Sequence, residues 1–387
     1  MNFGEKSIKI RQKKNVLKVL PNVEIVTKND LSIYYTPGIA AVSKEIAADK
    51  KKVFELTIKR NSVAVVTDGS AVLGLGNIGP EAALPVMEGK SILFSEFAGI
   101  DAFPICLSTQ DTQEIIQSVK NIAPVFGGIN LEDISAPRCF EIEDALQNLG
   151  IPVMHDDQHG TAIVVLAGLI NALKVVEKKV EECRIVISGA GAAGTAVAKL
   201  ILNYSKNKAN IIVLDRAGAL YIDRGNTSAE KIELARLTKN KEMGELRKII
   251  INADVFIGVS APNILTVEMV KSMTEKSIVF AMANPIPEID PALAKKAGSA
   301  VVATGRSDYE NQINNVLAFP GIFRGALDAK ATKITQSMKM AAALALSGYV
   351  KNLSPTNIIP SALDRKVVKV VARAVAAAAV KDGVIRK

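Results

Sequence analysis

The chain has no tryptophan, and aromatic residues make up only 4% of its 387 positions. Without aromatic platforms to interleave with its lysines, it lacks the pattern of a nucleic-acid binder, and its positive charge is no signal of one. Three cysteines, Cys106, Cys139 and Cys183, are an odd number with no CxxC spacing. That excludes a disulfide framework and a zinc knuckle, and fits a reducing cytoplasm. The longest apolar runs, Ile163 to Ile170 and Ala374 to Val380, fall short of the roughly 20 residues that span a bilayer. The basic N-terminus lacks the apolar stretch of a signal peptide. Internal repeats and low-complexity segments are missing too. These absences predict a soluble protein with neither a membrane nor a nucleic-acid partner.

What the chain does have is length, small residues and charge. With 387 residues, two domains are expected. An apolar share of 49% with 26 glycines suits an α/β enzyme rich in tight strand-to-helix turns. The net charge of +9 is spread widely, with lysines grouped at Lys6 to Lys18, Lys50 to Lys59 and Lys174 to Lys179. Such groups read as solvated helix faces, and a positive surface attracts small anionic substrates.

The most telling stretch runs from Gly127 to Thr161. It opens GGINLEDISAP and closes PVMHDDQHGTA, placing Glu132 and Asp133 at one end and Asp156 and Asp157 at the other. Each pair follows a mostly apolar segment, and a helix is expected between them at about Pro137 to Leu149. Carboxylates gathered at the ends of buried segments repel one another unless a cation holds them, and an all-oxygen set favours Mg²⁺ or Mn²⁺. The competing reading is two acidic helix caps.

Upstream, residues 1 to about 28 read as a charged helix ending near Pro21, followed by extended backbone from Ile33 to Thr36. Pro37 and Gly38 then turn the chain into a helix near Ile39. Tyr34 and Tyr35 precede that turn, where a tyrosine is either half-buried packing or a general acid. Gly74, Gly76 and Gly79 spell GxGxxG after a strand at Val63 to Val66, and Asp101 lies at the expected distance beyond. Several loop residues intervene, however, and Pro85 with Gly89 leaves little room for a helix before a strand at Ile92. The segment is therefore read as a loop whose backbone approaches substrate. Lys90, in MEGKSILF, stands at that strand's entrance. It is either a snorkelling surface lysine or a desolvated base whose pKa is lowered by neighbouring cations.

A second GxGxxG has the full context. Arg184 to Ser188 form a strand, Gly189, Gly191 and Gly194 follow without interruption, and Thr195 to Leu202 continue as a helix. A further strand, Ile211 to Leu214, ends at Asp215. Gly189 permits the turn, Gly191 admits a pyrophosphate, Gly194 lets helix pack on strand, and Asp215 can bind a ribose hydroxyl. Ala192 and Ala193 open the helix whose N-terminus holds the phosphates. Asp215 points to NAD, while Arg216 beside it leaves NADP possible. Strands at Val255 to Val259, Ile278 to Ala281 and Ala300 to Ala303 continue a parallel sheet. Their carboxyl ends place Asn284, Asn314 and Asn315 near a ligand, although asparagines there also serve as caps.

The motifs YYTPGIA, VTDGSAVLGLGNIG, VMEGKSILF, INLEDI, HDDQHGTA, SGAGAAG, ANPIPE and NNVLAFPG together resemble the small-subunit, prokaryotic-type malic enzymes over nearly the whole chain. The resemblance implies oxidative decarboxylation of L-malate to pyruvate and CO₂ with NAD(P) and Mg²⁺ or Mn²⁺. It places Glu132, Asp133 and Asp157 as metal ligands, Asp156 beside the catalytic lysine, Lys90 as general base and Tyr35 as general acid. Asn284 and Asn315 become substrate contacts, with Asn284 also near the cofactor. It further implies a homodimer whose partner chain supplies the tyrosine. Larger malic enzymes carry a substrate-gripping arginine where this chain has Ser70, Ala71 and Val72, so backbone of the Gly74 and Gly76 loop is expected to hold the anion. The expected architecture is an α/β substrate and metal domain (1–160), a doubly wound Rossmann-type NAD(P) domain (161–325) and C-terminal helices (326–387) packing back on the first. The alternatives are a metal-independent amino-acid dehydrogenase and a non-catalytic NAD(H) sensor.

Overall fold

The computed structural model of the chain describes residues 3–72, 74–225 and 227–386. Two parallel sheets organise it. The first has four strands in the order β2-β1-β3-β4: β1 Ser62–Thr67, β2 Asp101–Cys106, β3 Gly128–Leu131 and β4 Val153–His155. The second has the order β10-β9-β8-β5-β6-β7: β5 Arg184–Ser188, β6 Asn210–Asp215, β7 Gly218–Ala219, β8 Val255–Gly258, β9 Ile278–Ala281 and β10 Val301–Thr304. All its strands are parallel except β7, which pairs antiparallel to β6. Strand order reverses at β5, as doubly wound sheets require.

The sequence explains why both faces of each sheet are covered. In β1 every residue is buried, and side chains alternate between faces. Val63 and Val65 join one core and Ala64 and Val66 another. The second sheet divides the same way, with Ile185 and Ile187 on one side and Val186 on the other.

Twelve helices matter here: α1 Phe3–Lys13, α2 Lys28–Tyr34, α3 Ile39–Ala48, α4 Pro80–Ala98, α5 Thr112–Ile122, α6 Arg138–Leu146, α7 Asp156–Val176, α8 Ala192–Tyr204, α9 Ala229–Thr238, α10 Phe319–Asp328, α11 Gln336–Tyr349 and α12 Lys366–Lys381. The first helix stops at Lys13 instead of near Pro21. Ile33 and Tyr34, expected to be extended, close α2. Thr27 caps that helix in a capping box with Asp30, a local signal strong enough to start a helix there.

The largest departure is α4. Pro85 and Gly89 lie inside one 19-residue helix, and Lys90 is in its middle, not at a strand entrance. Its buried face, Ala83, Met87, Lys90, Ser91 and Phe94, recurs at helical spacing. Tertiary burial outweighs the hydrogen bond that Pro85 cannot donate. Helix α10 locks against α4: Phe94 meets Phe319 at 4.8 Å and Phe323 at 5.4 Å, both edge-on. Such pairs contribute about 0.5–1.5 kcal/mol each beyond area burial.

Lys59 also departs from its expected solvated role. It is 6% exposed and donates to the carbonyls of Ala123 and Phe126. Burial, with Arg386 nearby, brings its pKa down to about 8.

Helix α7 is the central beam. It begins at Asp156, earlier than the apolar run suggested, and reaches the length and hydropathy of a membrane span, yet 78% of its apolar window is buried inside the protein. The C-terminal helices reach the first sheet unit through several contacts. Arg324 donates to Asn61, Arg365 pairs with Glu96, and Arg386 donates to the Gly150 carbonyl.

Candidate active site

Strands β3 and β4 are adjacent and parallel, with Leu131 opposite His155. The residues that follow them, Glu132-Asp133 and Asp156-Asp157, therefore emerge side by side at the carboxyl edge of the sheet. One crossover through α6 converts two sequence-distant acid pairs into one cluster. Asp133 has a left-handed backbone, φ 53°, which aspartate tolerates better than most residues. Its amide donates to Asp157 Oδ2 at 2.8 Å. Asp156 and Asp157 open α7, where the helix dipole favours negative charge.

One carboxylate oxygen from each of Glu132, Asp133 and Asp157 lies within 4.8 Å of the others. Glu132 and Asp133 are each 3% exposed. Three gathered hard oxygen donors, two of them enclosed and Asp157 partly open to solvent, fit Mg²⁺ or Mn²⁺.

Lys90 reaches this cluster from α4. Its Nζ donates to Asp156 Oδ2 at 2.6 Å and pairs with Glu132 Oε1 at 2.8 Å. It also lies 4.2 Å from the centroid of the Phe319 ring. Asn315 donates to Asp156 Oδ2 at 2.5 Å, and Asn130 to Glu132 Oε2 at 2.8 Å. Asp156 Oδ1 is buried with no hydrogen-bond partner. It turns back over Gly160, where an added Cβ would come within 1.8 Å of it, so that glycine makes room for the carboxylate.

The electrostatics differ from the expectation of a lysine with lowered pKa. Burial opposes the charge on Lys90, but Asp156, Glu132 and Asp157 outweigh it and raise the pKa above its ordinary value. Burial likewise pushes Glu132 and Asp156 up to about 7, against the pull of Lys90. Asp157 rises to about 6 for the same reason. Too many acids share too little solvent, and a bound cation would relieve that stress.

The other sequence candidates fall into three places. Gly74 and Gly76 have φ near +78° and +77°, and a Cβ on Gly74 would meet the Asn284 carbonyl at 2.7 Å. The glycine loop and Asn284 therefore touch. Asn314 spends its side chain capping the turn at Val316. Tyr35 stands at the end of α2, 65% exposed and not half-buried, with no hydrogen bond to the cluster.

The second GxGxxG builds the expected turn. Gly189 has φ 124°, and a Cβ on Gly194 would meet the Gly189 carbonyl at 1.8 Å, so both positions require glycine. Ala192 and Ala193 open α8. A cleft of ≈ 1250 Å³ runs past Gly189, Gly191, Asp215, Arg216 and Ser260. Asp215 is engaged by Arg224 at 2.7 Å and Lys231 at 2.6 Å. Burial raises its pKa, but those two cations outweigh it and hold the carboxyl below its usual range.

Two family models account for most of the chain: the malic enzyme N-terminal domain over residues 12–147 and the malic enzyme NAD-binding domain over residues 158–381. The chain belongs to the malic enzyme family. It is 60% identical to the NAD-dependent malic enzyme of Geobacillus stearothermophilus, over 94% of this chain and 77% of that protein. Against the bifunctional malic/malolactic enzyme of Bacillus subtilis it is 54% identical, over 94% and 90%. The crystal structure of the NAD-dependent malic enzyme from Thermotoga maritima superposes with a TM-score of 0.92 at 47% identity, covering 97% of this chain and 99% of that one. The malic enzyme from Pyrococcus horikoshii gives 0.94 at 46% identity, over 100% and 92%.

Several residues of this malic enzyme's site escaped the sequence reading. Asn130 and Phe319 lie inside the motifs INLEDI and NNVLAFPG, so position in the motif was the available signal. Arg138, which pairs with buried Asp68 at 2.9 Å, and Lys231 carry no local signal. Their partners are 70 and 16 residues away in sequence.

Proposed function

We propose that the buried cluster of Lys90, Asp156 and the Glu132–Asp133–Asp157 trio is where this malic enzyme acts on L-malate, yielding pyruvate and CO₂ while NAD or NADP is reduced. The observation that carries this reading is a lysine ammonium touching two carboxylates beside three oxygen donors spaced for one divalent ion. Glu132, Asp133 and Asp157 would hold Mg²⁺ or Mn²⁺, which supplies Lewis-acid stabilisation of negative charge on the substrate's oxygens.

Lys90 is assigned the proton of the malate C2 hydroxyl, which it accepts as a neutral amine after handing its own proton to Asp156 Oδ2, 2.6 Å away, and Asp156 with Asn315 keeps that nitrogen in place. Burial of the cluster excludes water and strengthens each contact. Asn284 and Asn315 orient the substrate, and the backbone around Gly74 and Gly76 receives its anionic end. Gly189 to Gly194, Asp215 and Arg216 hold the dinucleotide. The proposed division of labour places substrate chemistry in residues 1–160, the dinucleotide in 161–325 and bracing helices in 326–387. All strands of the first sheet precede Asp156 and all strands of the second follow Cys183, which supports that division.

Tyr35 is proposed as the acid that protonates C3 after decarboxylation, delivered by a second copy of the chain. Its exposure supports this, as does the exposure of Leu31, Ile33, Tyr34 and Ile39 around it, a face suited to burial in a homodimer. We place the enzyme in the cytoplasm, in keeping with three unpaired cysteines.

The deciding assay follows reduced cofactor formed from L-malate and Mn²⁺, with and without EDTA, and then measures pyruvate. Malate-dependent, EDTA-sensitive production of both is expected. Turnover that survives EDTA would sink the metal assignment, and absence of pyruvate would sink the reaction.

A further inference from the structure

Away from the catalytic cluster, a second cleft of ≈ 1000 Å³ opens where five elements meet: α6, the start of α7, α8, α9 and the N-terminal turns of α11. At its base is Lys339. This side chain is 7% exposed, and among the described residues no acceptor lies within hydrogen-bond or ion-pair distance of its ammonium. Among the described residues the two other lysines buried to this degree have partners: Lys59 holds two carbonyls and Lys90 two carboxylates. Its ammonium opens only onto the cleft and finds no protein acceptor there, so the pocket presents a place for one.

The walls cannot meet that demand. Glu143, the nearest buried acid on the α6 wall, is already engaged. Its Oε1 accepts from the His155 amide at 3.2 Å. Its Oε2 meets Gln158 at 3.2 Å and His159 at 2.9 Å. Thr335 caps α11 and bonds to Asp382. At the rim, Lys199 is tied to Glu233 at 3.0 Å. Burial lowers the pKa of Lys339, and Glu143 and Asp144 only partly offset this. The charge on Lys339 is thus under-compensated by the protein itself.

We propose that this cleft is a binding site for a small monocarboxylate, whose carboxylate sits on Lys339. The chemistry sets the class. The base offers up to three free N–H donors, which select an anionic head. Away from Lys339 the lining carries Glu141, Asp144, Glu230 and Glu233 against Lys199 and Lys333, a net negative wall that disfavours a second anionic group and with it dicarboxylates and polyphosphates. Neither the Glu132–Asp133–Asp157 trio nor the Gly189 turn lines this cleft, which adjoins the dinucleotide cleft at Phe140 and Glu230. One of its walls, Glu143, grips the backbone amide just before Asp156. The proposal stands whether or not malate is the substrate of the catalytic cluster.

The test uses the full-length protein and sodium butyrate, with sodium chloride at matched ionic strength as control. Binding is read from line broadening of ¹³C-carboxyl-labelled butyrate and from the shift in Tm. Wild type should give saturable broadening and a saturable rise in Tm, and Lys339→Met should weaken both at least tenfold. Lys339→Arg keeps the cation and should retain binding, which guards against a Met variant that merely misfolds. Lys90→Ala should bind butyrate like wild type, since that lysine serves the other site. Malonate should bind at least tenfold more weakly than butyrate. Equal broadening in wild type and Lys339→Met, loss of butyrate binding in Lys90→Ala, or a Tm rise reproduced by chloride would each overturn the site.

Discussion

The carboxyl edges of the two sheets face ligands with opposite electrical strategies. At the first, four carboxylates (Glu132, Asp133, Asp156 and Asp157) crowd around a single lysine, and burial drives Glu132 and Asp156 up to about 7. At the second, the chain presents glycine backbone, and its one key acid, Asp215, is balanced by Arg224 and Lys231. The first edge is incomplete without added positive charge. The second is already neutralised and offers shape and backbone donors to a phosphate-bearing ligand. Stress is concentrated where we place the metal and is absent where we place the dinucleotide.

The comparison can be broken at several points. The largest effect is expected at Lys90. Lys90→Ala should reduce kcat by at least about a hundredfold, the lower range for loss of a general base, while dinucleotide binding measured by fluorescence stays near normal. Near-normal turnover would remove Lys90 from the chemistry. Next, Asp157→Asn should weaken Mn²⁺ activation by more than the roughly 10–100-fold typical of losing even an outer-sphere partner. An unchanged Mn²⁺ titration curve of the rate would show the ligand set to be wrong.

A third expectation concerns pH. Glu132 and Asp156 have folded pKa values near 7, above their ordinary values of 4.5 and 3.8. In that interval the native state binds more protons than the unfolded one, so the ion-free protein loses stability as pH rises from about 4 to 7. Mn²⁺ at about a hundred times its dissociation constant adds about 2.7 kcal/mol. That gain should be fully present at pH 8, while at pH 5 protons compete for the same oxygens and much of it should vanish. Calorimetric Tm values with and without Mn²⁺ at the two pH values decide it, and equal shifts would contradict the stressed-cluster picture. The smallest effect belongs to the second edge. Lys231→Gln should lower kcat/KM for NADP about tenfold, the worth of one charge-assisted hydrogen bond, and alter that for NAD by less than about threefold. Equal changes for both cofactors would mean that Lys231 supports Asp215 without sensing the 2′ position.

How legible each edge was follows from how local it is. The dinucleotide turn is spelled by contiguous residues, strand, three glycines, helix, strand and acid, so its conformation could be read almost residue by residue. The acid pairs were visible as pairs, because each terminates an apolar segment. Their meeting was not, since it depends on the parallel register that sets Leu131 opposite His155. Helix α4 was misread because Pro85 and Gly89 are strong local breakers, and only burial against Phe319 and Phe323 shows why the helix continues. Lys59 looked like one more solvated lysine until the fold supplied two carbonyls for it. Lys339 is the extreme case, since its surroundings come from five elements and nothing near it in sequence hints at a cleft.

Helix α7 carries one last implication. It starts at the two aspartates of the first edge, and its flank is packed against α8 in the core of the second sheet. At roughly 1.5 Å per residue, its 21 residues make a rod about 30 Å long. A rod clamped at one end transmits leverage to the other. Hollowing out Leu169 should therefore be felt as looser purchase on the ion at a distance no direct contact could explain.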